Sequence, residues 1–189
     1  MNALISLHDR LFNTLQTRIA PALMPTLARL IFAGTLMLYY WNSARTKLGE
    51  GASGIFQPDF NAYAQILPRI SEAVGYDASQ IGGFWRLVAI AATWGEFVLP
   101  FLILVGLFTR LGALGMIGFV VAQSWVDIFG HRVSATDRGS WFDTIPDALI
   151  LDQRAFWIFL LLVLVVRGAG PLSLDAVLRN RAAAQLSAA

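Results

Sequence analysis

Residues 94–129 decide the fold, and they read WGEFVLPFLILVGLFTRLGALGMIGFVVAQSWVDIF. One apolar run extends from about Phe84 to Phe108 and a second from about Leu111 to Ile128. A helix crosses a bilayer with about 20 apolar residues, so each run is long enough to span. Only Thr109 and Arg110 separate the two runs. The stretch therefore predicts an antiparallel hairpin of two transmembrane helices.

The composition of the whole chain agrees with a membrane protein. Of its 189 residues, 57% are hydrophobic and 14% are charged. Ordinary soluble domains have about 45–50% apolar and about 25% charged residues. A soluble domain of this size could not cover its surface with so few polar groups, whereas a bilayer removes that requirement. The lipid bilayer is therefore the first predicted partner.

Several kinds of site are excluded by residue counts. The chain has no cysteine, so thiolate zinc sites and iron–sulfur clusters are not expected. A haem with two histidine ligands is not expected either, because His8 and His131 fall on opposite sides of the predicted bundle, and no metal site is predicted. The net charge of +2 offers no basic field for nucleic acid.

Two further apolar stretches complete an all-α, integral membrane four-helix bundle. The first span is predicted at 26–41 and the fourth at 150–167, beside the spans 84–108 and 111–128. The continuous apolar part of the fourth, 155–166, is too short for a core about 30 Å thick. The fourth span must therefore extend through Ile150 and Leu151, or past Gly168. The chain divides into an interfacial segment (1–20), a membrane domain (21–175) and a polar tail (176–189).

The N-terminal segment carries leucines at helical spacing, at positions 4, 7, 11 and 15. This pattern predicts an amphipathic helix, either on the membrane surface or against the protein's own bundle. Pro21 and Pro25 are expected to separate it from the first span. The segment lacks the apolar core of a secretory signal peptide.

Four spans place two long polar segments, 42–83 and 130–154, on one side of the membrane. Both ends of the sequence and the short turn at 109–110 lie on the other side. Lysine and arginine counts on the two sides are almost equal, but the cations near the ends sit in shorter segments, which weigh more in orientation. Both termini are therefore predicted to be cytoplasmic.

Glu96 lies near the middle of the second span. A carboxylate there costs several kcal/mol unless it is paired, hydrated or protonated. It is either a structural hydrogen-bond anchor between helices or a group that handles protons or a ligand. At the same depth on the third span lies Gln123, a candidate hydrogen-bond partner, and Asp127 follows one turn later. These residues predict a polar track from the middle of the membrane to its surface.

Arg29 lies at the start of the first span, on the side of the termini. Its side chain either extends to the lipid headgroups or pairs with an acid such as Asp175.

The motifs together resemble the DoxX family. The segment GEFVLPFLILVGLFTRLGAL resembles that family's second and third spans, and the ending RGAGPLSLD resembles the run that follows its fourth span. Arg29 and the later Lys47 are similar to its R…K pattern. The family-like positions are Glu96, Pro100, Thr109, Arg110 and Asp175.

The resemblance implies a four-helix protein of the bacterial inner membrane. Some DoxX-like proteins are subunits of thiosulfate:quinone oxidoreductases, and others belong to membrane complexes of the redox-stress response. Many have no assigned activity, so whether the chain is itself an enzyme is left open. The two long segments, 42–83 and 130–154, look larger than in compact members and are predicted to bind a protein partner.

Three functions compete at this point. The first is a quinone-linked redox subunit, with Glu96 as the proton- or ligand-handling group and Trp94, Gln123, Trp125 and Asp127 as the quinone or ligand slot. The second is a non-catalytic anchor or accessory subunit of a larger assembly. The third is a small-molecule permease, which four helices without an inverted repeat could hardly form alone.

Overall fold

The computed structural model describes residues 2–188 and shows helices with no β-strand among them. Met1 of the predicted interfacial segment and Ala189 of the predicted polar tail lie outside the described residues. The chain begins with one continuous helical segment. It comprises α1 (Asn2–Thr14), α2 (Ala20–Phe32) and α3 (Leu38–Arg45), joined by π-helical turns at Leu15–Ile19 and Ala33–Met37.

The remaining helices follow in two groups. The first long segment holds two short helices, α4 (Phe60–Ile66) and α5 (Pro68–Ala73). The hairpin and the second long segment comprise α6 (Gly83–Val105), α7 (Thr109–Trp125) with a π-helical turn at Val126–Gly130, and the short α8 (Ala135–Arg138). The chain closes with α9 (Gln153–Arg167) and α10 (Leu174–Ala188). The last helix occupies most of the segment that the sequence predicted as a polar tail.

The spans close into a ring of four. Helix α2 packs on α9, α9 on α7, α7 on α6, and α6 on α3. Three helical segments among the described residues are long and apolar enough to cross a membrane: Leu4–Arg45, Gly83–Val105 and Thr109–Gly130. The fourth, α9, has 15 residues and is about 22 Å long at 1.5 Å per residue. The protein is an all-helical membrane protein, and its bundle agrees with the predicted fold class.

The fourth span does not take either predicted extension. Ile150 and Leu151 lie in turns before α9, where the Asp152 carboxylate accepts a hydrogen bond from the Ala148 N–H (3.0 Å). The helix ends at Arg167 because Gly168 has a φ of +78°. That backbone angle takes the chain out of the helical region.

The first span also differs from the sequence-based expectation, because the helix runs on through Pro21 and Pro25. A proline inside a helix removes one backbone donor and its ring crowds the preceding turn. The π-helical turn at Leu15–Ile19 widens the helix just before Pro21, and the Ala20 N–H bonds the Leu15 carbonyl. The N-terminal helix is thus continuous with the first span.

Small residues bring α6 and α7 together. A Cβ atom added to Gly115 would lie 3.0 Å from a methyl group of Leu99, and one added to Gly112 would lie 3.5 Å from the Cβ of Leu102. Glycine at such positions lets the backbones of two membrane helices approach closely. The hairpin predicted from residues 94–129 is therefore tightly packed.

The first long segment folds back on α6. Apolar residues recur here at three- and four-residue spacing (Phe60, Tyr63, Leu67, Ile70 and Val74), a pattern that predicts one amphipathic helix with Pro68 straining its middle. The structure instead has two helices that meet at Leu67. The residue before a proline avoids the α-helical region, and Leu67 has φ −128° and ψ 52°. A separate apolar cluster of Tyr63, Leu67, Ile81 and Ala89 fixes this segment to the first half of α6.

Arg29 closes the end of the bundle nearest the termini. It is 8% exposed and donates four hydrogen bonds to backbone carbonyls: Ile103 (3.0 Å), Leu104 (2.5 Å), Ala169 (2.9 Å) and Leu172 (2.6 Å). The last carbonyls of a helix lack intrahelical partners and carry negative partial charge. The guanidinium therefore caps α6 and fixes the chain that follows α9. It neither extends to the headgroups nor forms an ion pair with a described carboxylate.

Asp175 caps the next helix from the same end. Its carboxylate accepts the backbone N–H groups of Phe108 (2.8 Å) and Thr109 (3.0 Å), at the start of α7. Partial burial works to raise the pKa of Asp175, but these hydrogen bonds outweigh it and hold the pKa below its usual range. The GLFTR and PLSLD motifs thus meet in one structural joint.

Replacing Asp175 with asparagine should lower the free energy of unfolding by about 1–2 kcal/mol at pH 7, because the amide keeps one acceptor oxygen but loses the charge and the second hydrogen bond to a backbone N–H. A depressed pKa stabilises the fold above the unfolded pKa, near 4, and this contribution is lost as the pH falls through the folded value. Denaturation in detergent should therefore show a difference between the proteins that shrinks toward pH 3. An equal difference at every pH would contradict the role given to the carboxylate. The exposed Asp147→Asn is the control.

Candidate functional site

The inward face of α6 carries the central acid. Its buried residues recur at three- and four-residue spacing, the pattern of one helix face: Ala89, Thr93, Glu96, Pro100 and Ile103. Glu96 is 5% exposed. The face that packs the bundle therefore presents a carboxylate to the other spans.

Lys47 is the partner of Glu96. Its ammonium Nζ lies 3.0 Å from Oε1 and 2.9 Å from Oε2 of Glu96, and the lysine is 3% exposed. Ser43, one turn earlier, donates its hydroxyl to Glu96 Oε1 (3.1 Å) and accepts a hydrogen bond from Lys47 Nζ (2.6 Å). The pair satisfies the requirement that a buried charge be compensated and hydrogen-bonded. It also ties the end of the first span to α6.

A second ion pair lies on the other side of the same space. Arg154, at the start of α9, donates from Nη2 to Asp127 Oδ2 (2.5 Å) and from Nη1 to the Ser124 hydroxyl (3.0 Å). Arg154 is 7% exposed, and its Nε–H is buried without a hydrogen-bond partner among the described residues. A buried donor without a partner costs free energy that a bound acceptor can recover. The acceptor for this N–H is either a water molecule or an oxygen of a bound ligand.

Gln123 lies between the two ion pairs. Its side-chain oxygen accepts a hydrogen bond from the Tyr40 hydroxyl (3.3 Å), and its nitrogen donates to the Tyr39 hydroxyl (3.1 Å). The predicted Glu96–Gln123 hydrogen bond is thus replaced by two bonds to tyrosines of the first span. The physical reason is charge: the ammonium of Lys47 compensates the Glu96 carboxylate far better than a neutral amide.

These groups surround one cavity of about 300 Å³. That volume is at the lower end of the range for small-molecule sites. All four spans and both long segments contribute to its wall: Tyr39, Ser43, Lys47, Gln65, Ile66, Ala92, Glu96, Phe119, Ala122, Gln123, Val126, Asp127, His131 and Arg154. Two cations and two carboxylates line it, so their formal charges cancel. The cavity suits a neutral polar ligand better than a free anion.

His131 and Gln65 join the two long segments at the rim. The His131 Nε2 lies 2.9 Å from the Gln65 carbonyl oxygen, within hydrogen-bond distance, and this contact is exposed. The cavity therefore opens toward the side of the long segments.

The structure brings three of the five predicted site residues together, Glu96, Gln123 and Asp127. Trp94 lies elsewhere, where its indole N–H donates to the Ile55 carbonyl (2.9 Å). Trp125 is 64% exposed on the outside of α7. A helix turns about 100° per residue, so neighbours one or two positions from an inward residue point outward.

Sequence reasoning missed Lys47 and Arg154 as site residues. Lys47 carried a usable signal, because it is the sole lysine in the sequence. Arg154 carried none, because its pairing with Asp127 depends on how α9 packs beside α7. Long-range contacts of this kind are not visible in local spacing.

Comparison with known families gives one match. The DoxX family model matches residues 24–127, more than half of the chain, and covers the second span and most of the first and third transmembrane stretches. Lys47, Glu96, Gln123 and Asp127 lie within the matched residues, and Arg154 lies beyond them. Searches among curated proteins and among solved structures give no match.

Proposed function

The chain belongs to the DoxX family, and from that premise we propose that it is the quinone-binding membrane subunit of a redox complex. The quinone ring occupies the cavity between the Lys47–Glu96 and Arg154–Asp127 pairs. The observation that carries the proposal is the buried, unpartnered Nε–H of Arg154 beside a cavity of balanced charge.

The chemistry of a quinone fits this wall. A quinone is neutral and has two carbonyl oxygens on opposite edges of its ring, and both accept hydrogen bonds. Arg154 supplies a donor on one side of the cavity. Lys47 supplies one on the other by exchanging its long hydrogen bond to the Ser43 carbonyl (3.2 Å) for one to the quinone oxygen. Phe119, Ile66 and Val126 offer apolar surface for the ring. A few placed polar groups on an apolar wall are typical of small-molecule sites.

The proposed reaction takes up two electrons and two protons. Each electron pair from a partner redox protein converts one quinone to one quinol, and each carbonyl oxygen gains a proton. Lys47 and Glu96 exchange protons with the nearer oxygen, because a positioned ammonium–carboxylate pair is a general acid–base unit. Arg154 holds the other oxygen by hydrogen bonding and stays charged throughout. The proton for that oxygen, and the one that recharges the Lys47–Glu96 pair, come from water at the exposed rim of the cavity beside Gln65 and His131.

Purification in nanodiscs, followed by solvent extraction, tests the proposal. We expect a quinone in the extract of the native protein and about tenfold less in an Arg154→Leu variant, since a lost charged hydrogen bond is worth about 1.5–3 kcal/mol. Arg138→Leu, an exposed arginine in the same long segment, is the matched control. Equal amounts of quinone in all three proteins would overturn the proposal.

A second candidate function, an accessory subunit that docks a partner protein, is favoured by the segment 130–154. Four large apolar side chains are exposed there: Trp141, Phe142, Ile145 and Leu149. Phe142 is fully exposed and has a φ of +67°, which is unusual for a bulky residue. The double variant Trp141→Ser/Phe142→Ser should no longer co-purify with the partner protein. The control Leu186→Ser, at an exposed position on α10, should still retain it. Retention of the same partner by both variants would exclude this surface, and the segment 42–83 would be tested next.

We further propose that the protein lies in the bacterial inner membrane with both termini in the cytoplasm. The absence of cysteine makes single-cysteine labelling clean. In intact cells a membrane-impermeant maleimide should label Glu50→Cys, on the first long segment, and leave Ala184→Cys on α10 unlabelled. The reverse pattern would invert the orientation.

A further inference from the structure

An apolar groove of about 450 Å³ lies beside the polar cavity. Its lining includes Trp85 of α6, Trp125 of α7, Phe129 of the following π-helical turn and Ile70 of α5. The rings of Trp125 and Phe129 are 4.2 Å apart. Arg69 is the one charged residue among those described along the groove. The groove is therefore an apolar surface walled by aromatic rings.

The groove and the cavity are adjacent. Ile66 and Val126 line both. Val126 follows α7 directly and precedes Asp127 of the second ion pair, and Ile66 follows Gln65 at the cavity rim. An amphiphile with its polar end among the ion pairs would thus find apolar surface beginning at the cavity wall.

We infer that this groove holds the isoprenoid or alkyl tail of the quinone whose ring occupies the cavity. The inference rests on the proposed function and specifies its ligand as a long-tailed quinone. A ring that enters the cavity must carry its tail past the long segments, and exposing that tail to water is unfavourable. The groove offers the tail apolar surface next to the cavity, where Ile66 and Val126 line both. Aromatic walls suit the boundary between bilayer and water, where tryptophan is enriched.

Binding of two quinones that differ only in the tail tests the inference. The probes are 2,3-dimethoxy-5-methyl-1,4-benzoquinone, which has no tail, and its 6-decyl derivative. Their dissociation constants are measured by calorimetry in identical nanodiscs for the native protein and for Trp85→Ala/Trp125→Ala. The ratio between the two proteins cancels the partition of each probe into lipid. We expect the variant to bind the decyl quinone about tenfold more weakly and the tailless quinone within about twofold.

The control is Phe159→Ala on α9, an exposed aromatic residue outside the groove, which should bind both probes as the native protein does. If the double variant does not fold, the single variant Trp125→Leu is used instead. Binding of the decyl probe about threefold weaker, with the tailless probe unaffected, supports the inference, and unchanged binding of the decyl probe overturns it. An equal loss for both probes also overturns it, because the groove would then act only through the shape of the cavity. If the groove variant loses a phospholipid that co-purifies with the native protein, and its affinity for the decyl quinone is unchanged, the groove binds a lipid. That result overturns the inference as well.

Failure of the proposed function has a different signature. In that case the native protein binds neither probe, or the double variant Lys47→Met/Glu96→Gln, which leaves no uncompensated buried charge, binds both with unchanged affinity. If binding of the tailless probe depends on Lys47 but the groove variants leave the affinity for the decyl probe unchanged, the proposed function stands and only the tail site is refuted.

Discussion

Replacing Lys47 with methionine should lower the free energy of unfolding by about 3–5 kcal/mol, because it leaves the buried carboxylate of Glu96 without its counter-charge. The side chains of Lys47 and Glu96 in this pair are only 4% and 6% exposed, so water can replace little of what is lost. The same variant should abolish quinone reduction in the intact complex. Unfolding in mixed detergent micelles measures the first effect, and quinol formation measures the second.

The double variant Lys47→Met/Glu96→Gln separates the two effects. It removes both charges, so most of the stability should return, while quinone reduction should remain lost. Glu72→Gln on α5, an exposed acid, should change neither quantity. A double variant that is stable and fully active would assign the pair a purely structural role.

Replacing Arg29 with methionine should lower the free energy of unfolding by about 4 kcal/mol or more. Four backbone carbonyls would lose a charged donor at once, and one such hydrogen bond is worth about 1.5–3 kcal/mol, though the four are not additive. Ile103 and Leu104 belong to the last turn of α6, and Ala169 and Leu172 to the chain after α9. The joint between these helices should therefore loosen as a unit.

Thermal unfolding in detergent measures this change, and Arg18→Met is the matched control, because Arg18 is exposed on the same helical segment. Arg29→Lys should recover only part of the loss, since an ammonium cannot place its donors in the planar fork of a guanidinium. A methionine variant as stable as the control would mean that the four carbonyls find other donors.

Much of this fold could be predicted from hydrophobic runs alone. The hairpin of residues 94–129 follows from two long apolar stretches divided by Thr109 and Arg110. The continuity of the helix through Pro21 could not be predicted, because a π-helical turn places its altered hydrogen bonds before the proline. The bounds of α9 depend on Gly168 and on the turn at Asp152, which hydropathy does not register.

Only the part of the site that lies on α6 and α7 could be predicted from the sequence. Glu96, Gln123 and Asp127 could be related by counting helical rise from one turn. Lys47 could be singled out as the sole lysine of the sequence, but its pairing with Glu96 could not be predicted. Arg154 could not be singled out at all, because its position depends on contacts between residues that are far apart in sequence. Their discovery changes the expected chemistry from a lone buried acid to two compensated ion pairs that face one cavity.

Photoaffinity labelling with an azido-quinone, followed by peptide mapping, reports where the quinone ring lies. We expect adducts on cavity residues such as Tyr39, Phe119 and His131, reduced by an excess of unlabelled quinone and lost in Lys47→Met/Glu96→Gln. Adducts confined to lipid-facing residues such as Phe101, with no competition by unlabelled quinone, would contradict a ring site in the cavity.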